Sequence, residues 1–154
     1  MKKVLYISFC LTLFLSSCTS ILEPTVERIE DVDVVKMTKS ELELNAFMVL
    51  KNPNGFELDL DNADLTVYVD DIELAKINQT YETTMPQNGE FNMPININLD
   101  LDKLYGDNPL AAIGKGLQIM SDRKLIVQFK GTILVGKGIA KVSVLVDQME
   151  EVKF

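Results

Sequence analysis

The chain has 154 residues, with 15 Lys and Arg, 23 Asp and Glu and no His, which gives a formal net charge of −8. That length suits one domain, and an apolar content of 47% with 25% charged residues is ordinary for a globular protein. The lack of His removes the commonest general base and the commonest metal ligand. The composition therefore weakens most enzyme hypotheses before any motif is considered.

The N-terminus has the pattern of a bacterial lipoprotein signal. Lys2 and Lys3 precede an apolar stretch, 4–15, that is too short to span a membrane. Leu15-Ser16-Ser17-Cys18 follows and resembles a lipobox, in which the cysteine thiol is diacylglycerated and the chain is cut before it. We predict a signal peptide over 1–17 and a lipid anchor on Cys18. An ordinary secretory signal with a chance cysteine is the alternative.

Cleavage at this site would leave an acidic domain without thiols. Cys10 lies inside the apolar stretch, so neither a disulfide nor a cysteine metal site is expected in the mature protein. Loss of Lys2 and Lys3 leaves 13 basic residues against 23 acidic ones, a net charge of −10. Such a surface repels phosphate backbones, so no nucleic-acid partner is expected. The membrane is expected as a partner through the lipid alone.

Residues 18–25 are predicted to be the lipidated cysteine and a short tether. The eight steps from Cys18 to Val26 span at most ~28 Å, which keeps the domain close to the membrane. No acidic run follows Cys18, and Thr19 is not the Asp that resembles an inner-membrane retention signal. We expect the outer membrane of the cell envelope, with the domain facing the periplasm.

The body of the chain is predicted to form β-strands because apolar and polar residues alternate. The clearest strand is 95–102, where four aliphatic side chains alternate with Asn and Asp. Further strands are predicted at 32–34, 42–50, 58–60, 65–69, 124–129 and 139–146, with weaker candidates at 72–77 and 81–85. This pattern predicts an all-β, antiparallel sandwich of about seven strands over 26–154.

Turn-forming residues separate these strands. Asn52-Pro53-Asn54-Gly55 is the strongest signal, and Asn54 or Gly55 is expected at positive φ. Hairpin turns are also predicted at Asp70-Asp71, Gln87-Asn88-Gly89 and Gly136-Lys137-Gly138.

One α-helix is predicted over 108–120. Asn108 is a suitable N-cap, Pro109 suits the first helical position, and four apolar residues share one helical face. The helix would cover one opening of the sandwich, and a partner-binding helix is the alternative.

Two segments resemble ligand-binding motifs. Residues 131–137 match the first seven positions of a phosphate-binding loop, but Gly138 replaces the Ser or Thr that binds Mg²⁺, and a strand follows instead of a helix. Asp59, Asp61 and Asp64 are candidate calcium ligands, although the spacing is not that of an EF-hand. We predict a turn for the first and a solvated strand face for the second, with no cofactor and no metal.

The run from Leu50 to Asp70, with its Asn-Pro-Asn tripeptide and the later Leu-Thr-Val-Tyr-Val strand, resembles the late embryogenesis abundant type 2 family, also called the water stress and hypersensitive response domain. The resemblance extends over about 26–147. It implies a fibronectin type III-like sandwich of about seven strands with one helix. It also implies an association with desiccation and stress tolerance, and no catalytic residues.

The sequence thus predicts a non-catalytic envelope lipoprotein that acts in stress protection or protein interaction. Two alternatives stay open. The domain could bind an apolar or lipid-like ligand between its sheets, which would need a gap in the core. It could also be a structural subunit that docks on an envelope protein, which would need an exposed apolar patch.

Overall fold

Alternation of apolar and polar side chains builds two antiparallel sheets that pack face to face. The computed structural model describes residues 20–105 and 124–153. Its elements are β1 (Thr25–Met37), β2 (Glu41–Lys51), β3 (Leu58–Val69), β4 (Ile72–Met85), β5 (Glu90–Asp100), the short helix α1 (Asp102–Tyr105), β6 (Lys124–Lys137) and β7 (Ala140–Lys153). The all-β prediction is confirmed. Within these ranges, no helix has the length and apolar character needed to cross a bilayer.

The strand order is β1-β2-β5 in one sheet and β4-β3-β6-β7 in the other. This three-plus-four arrangement is the expected fibronectin type III-like sandwich. The inner faces of both sheets form one apolar core between them. Its largest fully buried side chains include Phe129, Leu42, Leu44, Met48, Leu50, Leu58, Leu60, Leu65 and Ile95.

Strand β5 follows the predicted alternation most closely. Met93, Ile95, Ile97 and Leu99 are all buried at 1% exposure or less, and the residues between them are exposed. The predicted strand 95–102 is two residues too long at its end, because β5 stops at Asp100 and α1 begins at Asp102. Leu101 is nevertheless buried, so the apolar pattern continues through the turn without strand geometry.

Strand β3 is continuous from Leu58 to Val69, although its sequence pattern predicts two strands, 58–60 and 65–69. Leu58 and Leu60 face the core, and then the inward positions change phase to Ala63 and Leu65. A β-bulge between Leu60 and Asn62 interrupts the register with both neighbouring strands. The extra residue of the bulge shifts the alternation of buried and exposed side chains by one position. In the sequence, this shift looks like the end of one strand and the start of another.

Strand β4 likewise joins the two weak candidates, 72–77 and 81–85, into one element. The turn after it, around Asn88, is not a hairpin within one sheet as predicted. It carries the chain from β4 in the four-stranded sheet to β5 in the three-stranded sheet. Asn88 has a positive φ of 50° in this connection.

Two of the hairpins have two-residue turns with the chemistry that such short connections require. Asp70 and Asp71 join β3 to β4, and their φ values of 50° and 62° are the pair of positive angles of a type I′ turn. In the second hairpin, Gly138 and Ile139 lie between Lys137 and Ala140. Ile139 is therefore a turn residue. The predicted strand 139–146 begins one residue too early, because β7 starts at Ala140.

The predicted signal peptide and lipobox lie outside the described residues, as does the predicted helix over 108–120.

Candidate functional site

The buried polar side chains of the described residues, Asn52 and Asn54, both lie in the loop that follows β2. We call residues 52–56 the Asn-Pro-Asn loop. The Asn52 side chain accepts hydrogen bonds from the backbone and the side chain of Asn54, both at 2.9 Å. Its amide nitrogen donates to the carbonyls of Phe56 at 2.9 Å and Pro86 at 3.1 Å. Asn52 thereby folds its own loop and attaches it to the turn after β4.

The backbone of this loop completes the attachment. The Asn52 N–H donates to the Gly89 carbonyl at 3.0 Å, and the Asn88 N–H donates to the Asn54 carbonyl at 2.9 Å. Burying an amide side chain is unfavourable unless its groups are bonded. Within the described residues, every buried side-chain nitrogen and oxygen atom has a partner.

Asn54 also holds the start of the described chain. Its Oδ1 accepts from the Leu22 N–H at 2.8 Å, and its Nδ2 donates to the Leu22 carbonyl at 2.8 Å. One side-chain amide thus pairs with both backbone groups of one residue, as a neighbouring strand would. Since Ile21 and Pro24 on either side are partly or fully buried, this pairing fixes residues 20–24 on the domain. We call residues 20–24 the N-terminal segment.

The conformation predicted for this loop is wrong in one respect. The described residues with positive φ include neither Asn54 nor Gly55, and a Cβ added at Gly55 would meet no atom within 4 Å. Side-chain hydrogen bonds to the backbone shape the turn, as Asn commonly allows, so no left-handed residue is required.

The three candidate calcium ligands lie along the outer face of β3. Asp61 is the extra residue in the pairing of β3 with β6, and its Oδ2 forms an ion pair with the Lys141 ammonium group at 2.6 Å. In the part of the chain that the structure describes, no group of three or more acidic, His or Cys side chains could hold a metal ion. The proximity of Lys141 disfavours a cation at Asp61.

The glycines of the motif that resembles a phosphate-binding loop have structural roles. Gly131 and Gly136 both lie within β6. A Cβ on Gly131 would collide with the Asp64 carbonyl of β3, and a Cβ on Gly136 would collide with the Ala140 carbonyl of β7. Close approach of neighbouring strands therefore explains both glycines, and the segment has strand geometry rather than that of a phosphate cradle.

A shallow groove of about 350 Å³ runs along β3 and β4, beside Asp59, Asp61 and Tyr81. The Tyr81 hydroxyl donates to the Pro94 carbonyl of β5 at 2.7 Å and so connects the adjacent edges of the two sheets. Burial raises the pKa of Tyr81 to about 12. The remaining side chains of the groove are mostly acids and threonines, which suit an apolar ligand poorly.

The link between the N-terminal segment and the Asn-Pro-Asn loop was not predicted from the sequence. The turn itself was identified correctly, but its partner Leu22 lies 32 positions away. Strand periodicity contains no information about such a contact. The available signal was the presence of two Asn residues, whose amides have more hydrogen-bonding groups than a simple turn needs.

A family model described as late embryogenesis abundant protein matches residues 48–148, about two thirds of the chain. The chain belongs to the late embryogenesis abundant type 2 family. The match includes the whole Asn-Pro-Asn loop, so the loop that holds Leu22 is part of the family's domain. The N-terminal segment that it holds lies outside the match.

Solved structures share the fold of this family member at low sequence identity. An Arabidopsis thaliana protein determined in solution has a TM-score of 0.66 at 13% identity, over 92% of this chain and 89% of that one. A crystal structure of an Archaeoglobus fulgidus protein has a TM-score of 0.55 at 12% identity, over 84% of this chain and 98% of that one. A search of curated protein sequences finds no significant match.

Proposed function

We propose that this family member is a non-catalytic lipoprotein of the cell envelope whose sandwich domain acts in stress protection. The observation that carries the proposal is the combination of Leu15-Ser16-Ser17-Cys18 with the fixed N-terminal segment. Only three residues separate Cys18 from Leu22, which is bound to the domain through Asn54. A lipid on Cys18 would therefore hold the domain at the membrane in a restricted orientation. We place this membrane contact at the periplasmic side of the outer membrane, as the residues after Cys18 predict.

A stress-related role is supported by the family and a non-catalytic role by the chemistry of the domain. The chain contains no His, and its buried polar side chains at Asn52 and Asn54 are engaged in structural hydrogen bonds. The outer face of the three-stranded sheet carries paired amides and carboxylates, such as Asn96 with Asn45 and Asn98 with Glu41, both at 2.7 Å. Polar and charged side chains of this kind favour solubility, which suits a protective role during drying.

A structural role in an envelope complex is the second candidate. The outer face of β6 and β7 exposes three large apolar side chains, Ile126, Leu145 and Met149. This candidate can be tested by replacing Met149 with a residue that carries a crosslinking group. If an envelope protein covers these side chains, it should become covalently attached at position 149. Binding of an apolar ligand between the sheets has less support, because the facing side chains of both sheets are fully buried against each other.

The proposed function can be tested in bacterial cells that lack the gene. We expect wild-type protein to restore survival after drying, and Cys18→Ala, accumulated to the same level, to restore less. A Leu99→Ala variant that retains Cys18 is the matched control for loss of the folded domain. Equal survival of cells with and without the gene would contradict a protective role. Equal rescue by Cys18→Ala would show that protection does not need the anchor.

A further inference from the structure

Two large apolar side chains are exposed near the place where the described chain begins. Leu22 is 57% exposed, although both of its backbone groups are bound to Asn54. Ile139 is fully exposed at the tip of the β6–β7 hairpin. Turn positions are normally taken by Gly, Asn, Asp or Ser, so packing and turn formation do not explain an isoleucine at this tip.

The hairpin extends toward the same end of the sandwich as the N-terminal segment. The Leu145 N–H contacts the Glu23 carboxylate at 3.4 Å, and the Gln148 side chain contacts the Val26 carbonyl at 3.5 Å. Both pairs are 122 positions apart, so β1 and β7 run side by side in the same direction. With the same offset of 122 positions, Leu22 lies beside residue 144 along the strand direction.

Distances along the strand then place the hairpin tip relative to the anchor. Ile139 lies five residues before residue 144, which corresponds to ~17 Å beyond the level of Leu22. Cys18 is four steps from Leu22 and can be at most ~14 Å away from it. A bilayer that holds a lipid on Cys18 is therefore within reach of the hairpin tip.

We propose that Ile139 inserts into the bilayer that holds the lipid on Cys18, so that this end of the sandwich contacts the membrane directly. The inference rests on the lipid anchor of the proposed function. The contact is apolar rather than electrostatic, because the predicted mature chain has a net charge of −10 and would be repelled by anionic headgroups. It should therefore form on zwitterionic lipid and persist at high salt.

The chain contains no Trp, so a single introduced Trp is an unambiguous reporter of contact with lipid. Full-length Ile139→Trp, exported and purified with its anchor, would be reconstituted into phosphatidylcholine vesicles with and without brominated acyl chains. Met37→Trp is the matched control, because Met37 is exposed at the far end of the 13-residue β1, a strand that is itself ~40 Å long. Leu145→Trp reports on the outer face of the four-stranded sheet.

We expect brominated lipid to quench the Trp at 139 at least several-fold more than the Trp at 37 or 145, at low and at high salt. Equal quenching at 139 and 37, or the strongest quenching at 145, would overturn the inference. The mass of the Cys18 peptide is measured on the same samples. A missing lipid would refute the anchor and this inference together. A lipidated protein with an unquenched Trp at 139 would refute the membrane contact and leave the anchor standing.

Discussion

The side-chain amide of Asn54 pairs with both backbone groups of Leu22, through two hydrogen bonds of 2.8 Å. This contact joins the second Asn of the Asn-Pro-Asn loop to the residue four positions after the proposed lipid anchor. The loop therefore does more than reverse the chain between β2 and β3. It determines where the domain holds its own N-terminal segment.

Asn54→Ala should release the N-terminal segment and lower stability. The change removes the partner of Leu22 and of the buried Asn52 side chain, which should cost about 1–3 kcal/mol in the free energy of unfolding. Chemical denaturation measures the cost, and hydrogen exchange at the Leu22 amide should become faster. Asn96→Ala is the matched control, since it breaks an exposed Asn–Asn hydrogen bond and should change stability by less than about 0.5 kcal/mol. Equal effects of the two variants would contradict a special role of Asn54.

Gly131→Ala should be far more damaging than Gly55→Ala. The new methyl group at Gly131 collides with the Asp64 carbonyl, and the φ of 152° there is unfavourable for other residues. Strain of this kind costs of order 1–3 kcal/mol. At Gly55 the space is open and φ is not positive, so alanine should be neutral or slightly stabilising. Thermal melting of the two variants checks this, and a destabilised Gly55→Ala would show that this loop needs glycine after all.

The stability of the domain should fall as the pH rises from about 10 to about 12, partly through Tyr81. Burial raises the pKa of its phenol from 10.0 to about 12 in the folded state. In that window the unfolded chain releases the proton while the folded chain keeps it, so the unfolded state binds fewer protons and gains relative stability. Tyr81→Phe should therefore show a shallower decline of unfolding free energy with pH than wild type. Identical declines would mean that Tyr81 ionises normally in the fold.

Much of the fold could be predicted because most strands have one buried and one wet face. Strand β5 shows this best, with every inward position apolar. The predictions failed where a bulge or a crossover between sheets changes the course of the backbone but leaves the local pattern of apolar and polar residues unchanged. The bulge at Asp61 divided β3 into two apparent strands, and the turn after β4 crosses between sheets instead of forming a hairpin. Neither event alters the local pattern of apolar residues.

The candidate site was predictable only in part for a similar reason. Asn and Pro mark a turn wherever they occur, so the position of the Asn-Pro-Asn loop followed from local chemistry. The contact with Leu22 depends on how β1 and β2 pair and on where the N-terminal segment crosses the loop. Those are tertiary relationships. The expected positive φ was wrong because side-chain hydrogen bonds supply an alternative route to the same reversal.

Core changes should affect the domain more than neutralisation of its outer carboxylates. Leu99 is 0% exposed, so Leu99→Ala should cost about 2–5 kcal/mol. Asp59→Asn should have little effect, and Asp61→Asn should lose at most about 1 kcal/mol with its partly exposed ion pair to Lys141. Thermal melting gives all three values, and we expect the wild type to melt identically with Ca²⁺ and with EDTA. A calcium-dependent rise in Tm that is abolished by Asp59→Asn with Asp61→Asn would make these residues metal ligands.

The central claim, that this domain is held at the membrane by a lipid on Cys18, is tested most directly by metabolic labelling with palmitate. Wild-type protein and Cys18→Ala would be expressed in the same bacterial cells and compared by gel and by mass spectrometry of the N-terminal peptide. We predict label on the wild type, cleavage before Cys18, and an unlabelled, unprocessed Cys18→Ala precursor. An unlabelled wild type, or label that persists in Cys18→Ala, would contradict the account.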